Sequence, residues 1–381
     1  TALSGRVSLS DGDVVQEAPV IAAINGNLKS GLIDFNAEAV MDSERMSLVG
    51  SLDGFSSPQV NFDLQAESLA LDHILGVDTS LPLTSLMIEG EVAETTPAAV
   101  ELTIGDEEGV AEVVEVPKEK LRDLSLKQEL LSRLSGTGTF NIGTMMYRGL
   151  EFKELGTTLI FNSSSDIKIK SLRAQLFGGE LYANSDMSLD DGSVNLDLSL
   201  TNVEMQELLE GLKARVLLNG RADIELDLDS VGLSEKELLQ NLNGRIKFDA
   251  VDGSLLGFSV DKVLEDIDYL IDTGSQRLQF DMRDQSPYEV FGFAAEVDEG
   301  MINFESLSLE GEDYSFVNKE PKSSYNTLNG DFDLNLQMSV ERPVDVLRHG
   351  VRVVVKGFSL PLQIWNEDES IQFRTEIQGL Y

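Results

Sequence analysis

Apolar and polar residues alternate with a period of two along most of the chain, the pattern of half-buried antiparallel strands with one face in a core and the other in water. Val194, Leu196, Leu198 and Leu200 are interleaved with Asn195, Asp197 and Ser199, and Ile224, Leu226 and Leu228 with Asp223, Glu225, Asp227 and Asp229. One face is oily and the other acidic. The alternation returns at Val60, Phe62 and Leu64, at Phe332, Leu334, Leu336, Met338 and Val340, and at Ile371, Phe373 and Ile377. Between the runs fall Asp53-Gly54, Asp191-Gly192, Asn219-Gly220, Asn243-Gly244 and Asn329-Gly330, pairs that tolerate the positive φ angles of hairpin turns. The pattern predicts a long meander.

Helical spacing is confined to short stretches. Ser234 with Glu237, flanked by Leu233 and Leu238, forms a capping box with a hydrophobic staple and opens a helix that ends near Leu242. Val260, Val263, Leu264, Ile267, Leu270 and Ile271 predict an amphipathic helix of about 14 residues between Gly257 and Gly274. Met205, Leu208, Leu209 and Leu212 mark a third, and Leu121, Leu124, Leu131 and Leu134 a fourth. Each offers an apolar stripe suited to packing on a sheet.

Two stretches interrupt the strand pattern. Between Glu89 and Glu119 ten carboxylates face a single Lys118, with Pro97, Pro117 and no aromatic residue. Such a segment cannot bury enough apolar area to offset the entropy of ordering, so a flexible acidic insertion is expected. Gly311 to Leu328, with Pro321 and a polar Ser-Ser-Tyr-Asn run, reads as a second loop. The expected organisation is an N-terminal β segment over 1–88, the acidic insertion over 89–119 and a β-groove domain over 120–381.

Composition narrows the chemistry. The 381 residues carry 67 Asp plus Glu against 29 Lys plus Arg, a formal net charge of −38, which excludes nucleic acid as the natural partner because phosphate binding needs clustered cations. Cysteine is absent, which removes thiol catalysis, disulfides and Cys-based metal sites, and His73 and His349 alone cannot build a His-rich centre. No metal or cofactor is expected. The chain has no phosphate loop, nucleophile elbow or His-Glu-x-x-His helix, and Gly136-Thr137-Gly138 with Gly143 has the wrong spacing and strand-like flanks for a dinucleotide fingerprint. Asp186, Asp190, Asp191 and Gly192 miss the spacing of a calcium loop. The carboxylates sit mostly at alternate strand positions, where a solvated face accounts for them better than a glycosidase pair. His73 reads as a structural residue in a short helical turn ended by Gly76, and neither Trp365 nor His349 has convergent polar company. No catalytic residue is expected. No apolar run approaches the roughly 18 residues of a membrane span, and the start at Thr1 without Met suggests a piece of a longer protein, with any anchor outside it.

Several glycine-bearing motifs then follow one another in a telling order. Leu218-Asn219-Gly220-Arg221-Ala222-Asp223-Ile224-Glu225-Leu226 leads through Val231-Gly232-Leu233-Ser234 and Leu242-Asn243-Gly244-Arg245 to Val251-Asp252-Gly253-Ser254-Leu255-Leu256-Gly257-Phe258. This succession resembles the C-terminal region of AsmA-like proteins of the Gram-negative envelope. Leu176-Phe177-Gly178-Gly179-Glu180-Leu181-Tyr182, Phe140-Asn141-Ile142-Gly143 with Gly149-Leu150, and the downstream Glu299-Gly300 and Asn329-Gly330 pairs are similar to the same family, as is Pro58 to Gly76. Gly178, Gly179, Gly220, Gly244, Gly253 and Gly257 are the motif glycines; the closing Leu360-Pro361-Leu362 departs from the family's usual ending. The resemblance implies a periplasmic protein tethered to the inner membrane through an N-terminal helix outside this chain. It also implies a role in outer-membrane lipid homeostasis and protein assembly, with inner- and outer-membrane components as partners.

A meander with one apolar face must cover that face. Four brief helices cannot tile fifteen or so strands, so the sheet either folds over as a sandwich or curls into a trough. The expected fold is mainly β, a long antiparallel meander curled into an open groove or half-barrel with a few short helices at its ends. Moving a sixteen-carbon acyl chain into water costs on the order of 13 kcal/mol at about 0.8 per CH₂. A continuous apolar path removes that cost. The expected partner is phospholipid, and the expected lining is Val194, Leu196, Leu198, Leu200, Ile224, Leu226, Leu228, Phe332, Leu334, Leu336 and Met338. The rival readings are a scaffold or regulator acting through protein contacts and, more remotely, an acidic-dyad hydrolase.

Overall fold

The structure is a computed structural model that describes residues 2–11, 14–27, 31–41, 44–54, 57–71, 135–162, 166–265, 269, 275–279, 281, 283–348, 351–367 and 370–376. The acidic stretch 89–119, the Leu121 to Leu134 helix, His73, His349 and Ile377 lie outside the described residues.

The alternating sequence folds as strands β1 (Ala2–Asp11), β2 (Val14–Asn27), β3 (Leu32–Met41), β4 (Glu44–Asp53) and β5 (Gln59–Ala70), which form an antiparallel meander. Next in the sheet is β6 (Ser135–Tyr147), which pairs with β5 in parallel, Gln59 beside Ser135 and Leu64 beside Phe140. The antiparallel order then resumes through β7 (Leu150–Phe161), β8 (Asp166–Leu176), β9 (Gly179–Ser188), β10 (Ser193–Glu204), β11 (Arg221–Val231) and β12 (Asn243–Leu256). Strand β6 carries Gly136, Gly138 and Gly143 along its length, so that glycine cluster belongs to a strand.

Beyond β12 the chain departs from a simple meander. Strand β13 (Ser275–Gln279) does not pair with β12; β14 (Gln285–Asp298) takes that place, followed by β15 (Met301–Glu310). The expected loop over Gly311 to Leu328 instead contains β16 (Tyr314–Asn318) and β17 (Ser324–Asn326). These two lie one after the other along the same gap, each bridging β15 to β18 (Phe332–Val340). Their brevity hid them: five and three residues cannot display a period. Strands β21 (Phe358–Glu367) and β22 (Ser370–Glu376) follow, and β13 pairs with β22 as the final strand. Strands β19 (Val344–Arg348) and β20 (Val351–Val355) form a separate hairpin. Among the described residues, one mixed sheet therefore holds twenty strands, and its edges β1 and β13 do not meet. The sheet curls without closing into a barrel.

Among the described residues, three short helices sit at strand ends. Helix α1 (Met205–Gly211) buries Met205 and Leu208. Helix α2 (Glu235–Gln240) starts at the capping box seen in the sequence: Ser234 Oγ accepts from the Glu237 amide at 3.2 Å, and Glu237 Oε2 accepts from the Leu233 amide at 2.8 Å. Helix α3 (Val260–Glu265) is the described part of the amphipathic stretch after Gly257, and Val260, Val263 and Leu264 are buried. Its first turn is pinned by Ser286, whose hydroxyl accepts from the Val260 amide at 3.0 Å and donates to the Phe258 carbonyl at 2.9 Å.

Candidate functional site: an apolar trough with an enclosed end

Strand registry aligns the apolar positions into rows that cross the sheet. Leu200 lies between Leu181 and Ile224, Ile224 beside Phe248, Phe248 beside Phe293, and Phe293 beside Leu307. In the N-terminal part Ala37, Leu48, Leu64 and Phe140 form a similar row through β3, β4, β5 and β6. Because cross-strand neighbours share a face, these rows make one continuous apolar surface. Over β3 to β5 and β10 to β11 it is half-buried, as at Phe35, Leu48, Phe62, Leu196 and Leu226. The floor is oily and uncovered.

Towards β22 the surface deepens into a pocket that stays partly open. Phe248, Phe291, Phe293 and Phe304 form an aromatic group, with Phe248 stacked on Phe293 at 5.1 Å and Phe304 edge-on to Phe293 at 5.2 Å. Phe291 belongs to this group and also to the wall of a cavity of about 240 Å³. Leu255 of β12, Leu309 of β15, Leu334 of β18, Leu362 of β21 and Phe373 of β22 line the same space, so strands six positions apart in the sheet face each other across it. All sixteen lining residues are Leu, Phe or Ile. A dry apolar cavity of roughly 150 Å³ already accepts a benzene-sized guest, so this one has room for a segment of hydrocarbon.

The outer face carries the charge. Asp197 lies directly opposite Asp227, and Asp223 opposite Asp249. Arg245 meets Asp227 at 3.0 Å and Lys247 meets Asp249 at 2.9 Å, and the hydrogen bond and charge of Asp249 raise the Lys247 pKa. The Lys170 hydrogen bond, at 3.0 Å, holds the Asp186 carboxyl below its ordinary value. These are solvated pairs on the far side from the trough.

Of the residues expected as lining, Phe332, Leu334 and Leu336 border the cavity, and Val194, Leu196, Leu198, Ile224, Leu226 and Leu228 lie half-buried on the open face. Leu200 is buried at the strand end near α1. Met338 is 1% exposed between Phe316 and Leu360 and lines no open space. Sequence reasoning did not assign Phe258, Phe291, Leu307, Leu309, Leu362 or Ile364 to the lining. In β15 the extra residue Glu305 changes the phase between Phe304 and Leu307, which interrupts the alternation there.

Buried hydroxyls serve the fold: Thr327 donates to the Gly300 carbonyl at 2.8 Å and Ser323 to Asn318 Oδ1 at 2.6 Å. Among the described residues no group of three or more His, Asp or Glu is arranged to hold a metal ion, and no helix is long and apolar enough to cross a membrane.

The family model described as the AsmA family matches residues 22–305, about three quarters of the chain. No curated protein and no solved structure gives a significant match.

Proposed function

The chain belongs to the AsmA family, and from that premise we propose that it is a periplasmic, non-enzymatic lipid carrier, tethered to the inner membrane, that takes phospholipid acyl chains along its trough towards the outer membrane. The observation that carries this reading is the apolar face, shallow over β3 to β5 and β10 to β11 and deepening into a partly open pocket beside β22. An acyl chain of sixteen carbons gains on the order of 13 kcal/mol on leaving water at about 0.8 per CH₂. A trough whose rows are Leu, Ile, Val and Phe supplies that environment at each step of a path, with headgroups left in solvent at the rim. In this reading lipid moves by partition and sliding, without a chemical step. The acidic outer face keeps the body of the protein off anionic bilayers along its length.

Native mass spectrometry and lipid extraction of gently purified protein test the reading. The expected result is co-purified phospholipid and uptake of labelled lipid, both lost in Leu226→Asp and Leu334→Asp variants that retain the wild-type circular dichroism spectrum. Protein that is reproducibly empty and takes up no lipid would overturn it, and partner binding that survives without lipid would favour a scaffold.

A further inference from the structure

The β19–β20 hairpin is one of a few net-basic stretches of the protein. Residues 344–356 carry Arg348, Arg352 and Lys356 against Asp345 alone, in a chain whose formal net charge is −38. Within them β19 and β20 pair with each other and, among the described residues, with no other strand. Val344 lies opposite Val355, and both pack against the core and fix the base. By strand alternation Arg352, Val354 and Lys356 share the other face. All three are exposed, Val354 at 58%. A valine flanked by two cations thus faces solvent, with Asp345 opposite that valine. On the body of the protein many cations are already engaged, as Lys170 with Asp186 and Arg245 with Asp227; Arg352 and Lys356 make no ion pair among the described residues.

The placement of the hairpin is also specific. It leaves the sheet between β18 and β21 at their Val340–Phe358 end, and the packed Met338–Leu360 pair separates it from Leu334, Leu336, Leu362 and Ile364 of the cavity. Its root is clamped by Arg342, which pairs with Asp261 of α3 and lies 3.5 Å from Asp313. Arg352 lies opposite Leu347, three residue steps from the Val344–Val355 pair, and Lys356 sits at the base. At about 3.4 Å per residue Arg352 is roughly 10 Å out, beyond a Debye length of about 8 Å at physiological ionic strength.

We propose that this hairpin docks the protein onto an anionic phospholipid bilayer, with Arg352 and Lys356 on headgroup phosphates and Val354 in the boundary between headgroups and acyl chains. The acidic body is repelled by the same surface, so the contact is confined to the hairpin. Docking is independent of whether the trough carries lipid, and the two readings fail separately, one in vesicle binding and the other in retained lipid.

Sedimentation of the 381-residue chain with vesicles of phosphatidylglycerol in phosphatidylcholine, against phosphatidylcholine alone, tests it. The expected result is binding to the anionic vesicles that falls steeply with salt, weakened about fivefold per cation removed and roughly thirtyfold in R352Q/K356Q. Val354→Asp should weaken it as well, and R245Q/K247Q, which removes two cations from the body, should leave it unchanged. The proposal is overturned if the wild-type chain ignores anionic vesicles, if R352Q/K356Q binds undiminished, or if R245Q/K247Q costs as much.

Discussion

The rings of Phe258 and Phe373 lie with centroids 5.1 Å apart, although one follows β12 and the other sits in β22, six positions further along the sheet. Phe258 also meets Phe316 edge-on at 6.0 Å. These contacts span the interior of the curl, so the bend of the sheet at this end is held by side chains as well as by strand twist.

Replacing Phe258 by Ala should therefore cost about 3–5 kcal/mol, the range for a large buried aromatic whose cavity cannot collapse. Urea denaturation followed by circular dichroism measures it. A loss below about 1 kcal/mol would mean that the curl persists without this contact.

Leu334 and Met338 stand four residues apart on the same face of β18 with different surroundings, the first bordering the cavity and the second 1% exposed in packed core. Leu334→Trp should be accommodated within about 1 kcal/mol and should reduce retained lipid by occupying the space. Met338→Trp should instead cost about 1–3 kcal/mol through overpacking. Paired urea curves and lipid extraction separate the two, and equal costs would show that the cavity is not available volume.

Alkaline pH should unfold the protein through two tyrosines. Tyr288 donates to the Asn219 carbonyl at 2.5 Å and Tyr314 to the Pro287 carbonyl, and burial pushes both hydroxyls from their usual 10.0 up to about 12. The folded state keeps protons that the unfolded chain releases. Stability from this source is fully present below pH 10 and is lost as the pH rises towards 12. Urea midpoints taken across that window should fall with pH, and the fall should be shallower in Y288F/Y314F. An unchanged slope would assign the effect to other groups.

Two motif glycines should respond differently to Ala. Gly220 has φ +110, and a Cβ there would lie 2.8 Å from the Val251 carbonyl oxygen and from Tyr288 Oη. Gly178 has φ +74 with open space around the Cβ position. Gly220→Ala should thus cost more than the roughly 1–2 kcal/mol that left-handed backbone imposes by itself, and Gly178→Ala no more than that. Thermal melts of the two variants provide the comparison.

Much of the sheet was legible because its strands are long and alternate cleanly; β11 and β18 carry their period over nine residues, and β10 over the seven from Val194 to Leu200. The capping box at Ser234 was legible for a related reason, since it is a local hydrogen-bond pattern written in four residues. Order in the sheet was not. Nothing local in Ser275–Gln279 says that it pairs with β22 instead of β12, and the parallel step from β5 to β6 is likewise a choice made in three dimensions. The open floor could be listed from alternation alone, as Leu196, Leu226 and Leu334 illustrate. The enclosed end could not, because it depends on a bend that brings Leu255 opposite Phe373.

Strand β13 precedes β14 to β21 in sequence yet lies outside β22, so among the described residues that side of the sheet ends at a five-residue strand. A short margin offers few spare amides and carbonyls, whereas a long one is a template for another strand. The chamber beside it is thereby guarded against annexation by a foreign strand.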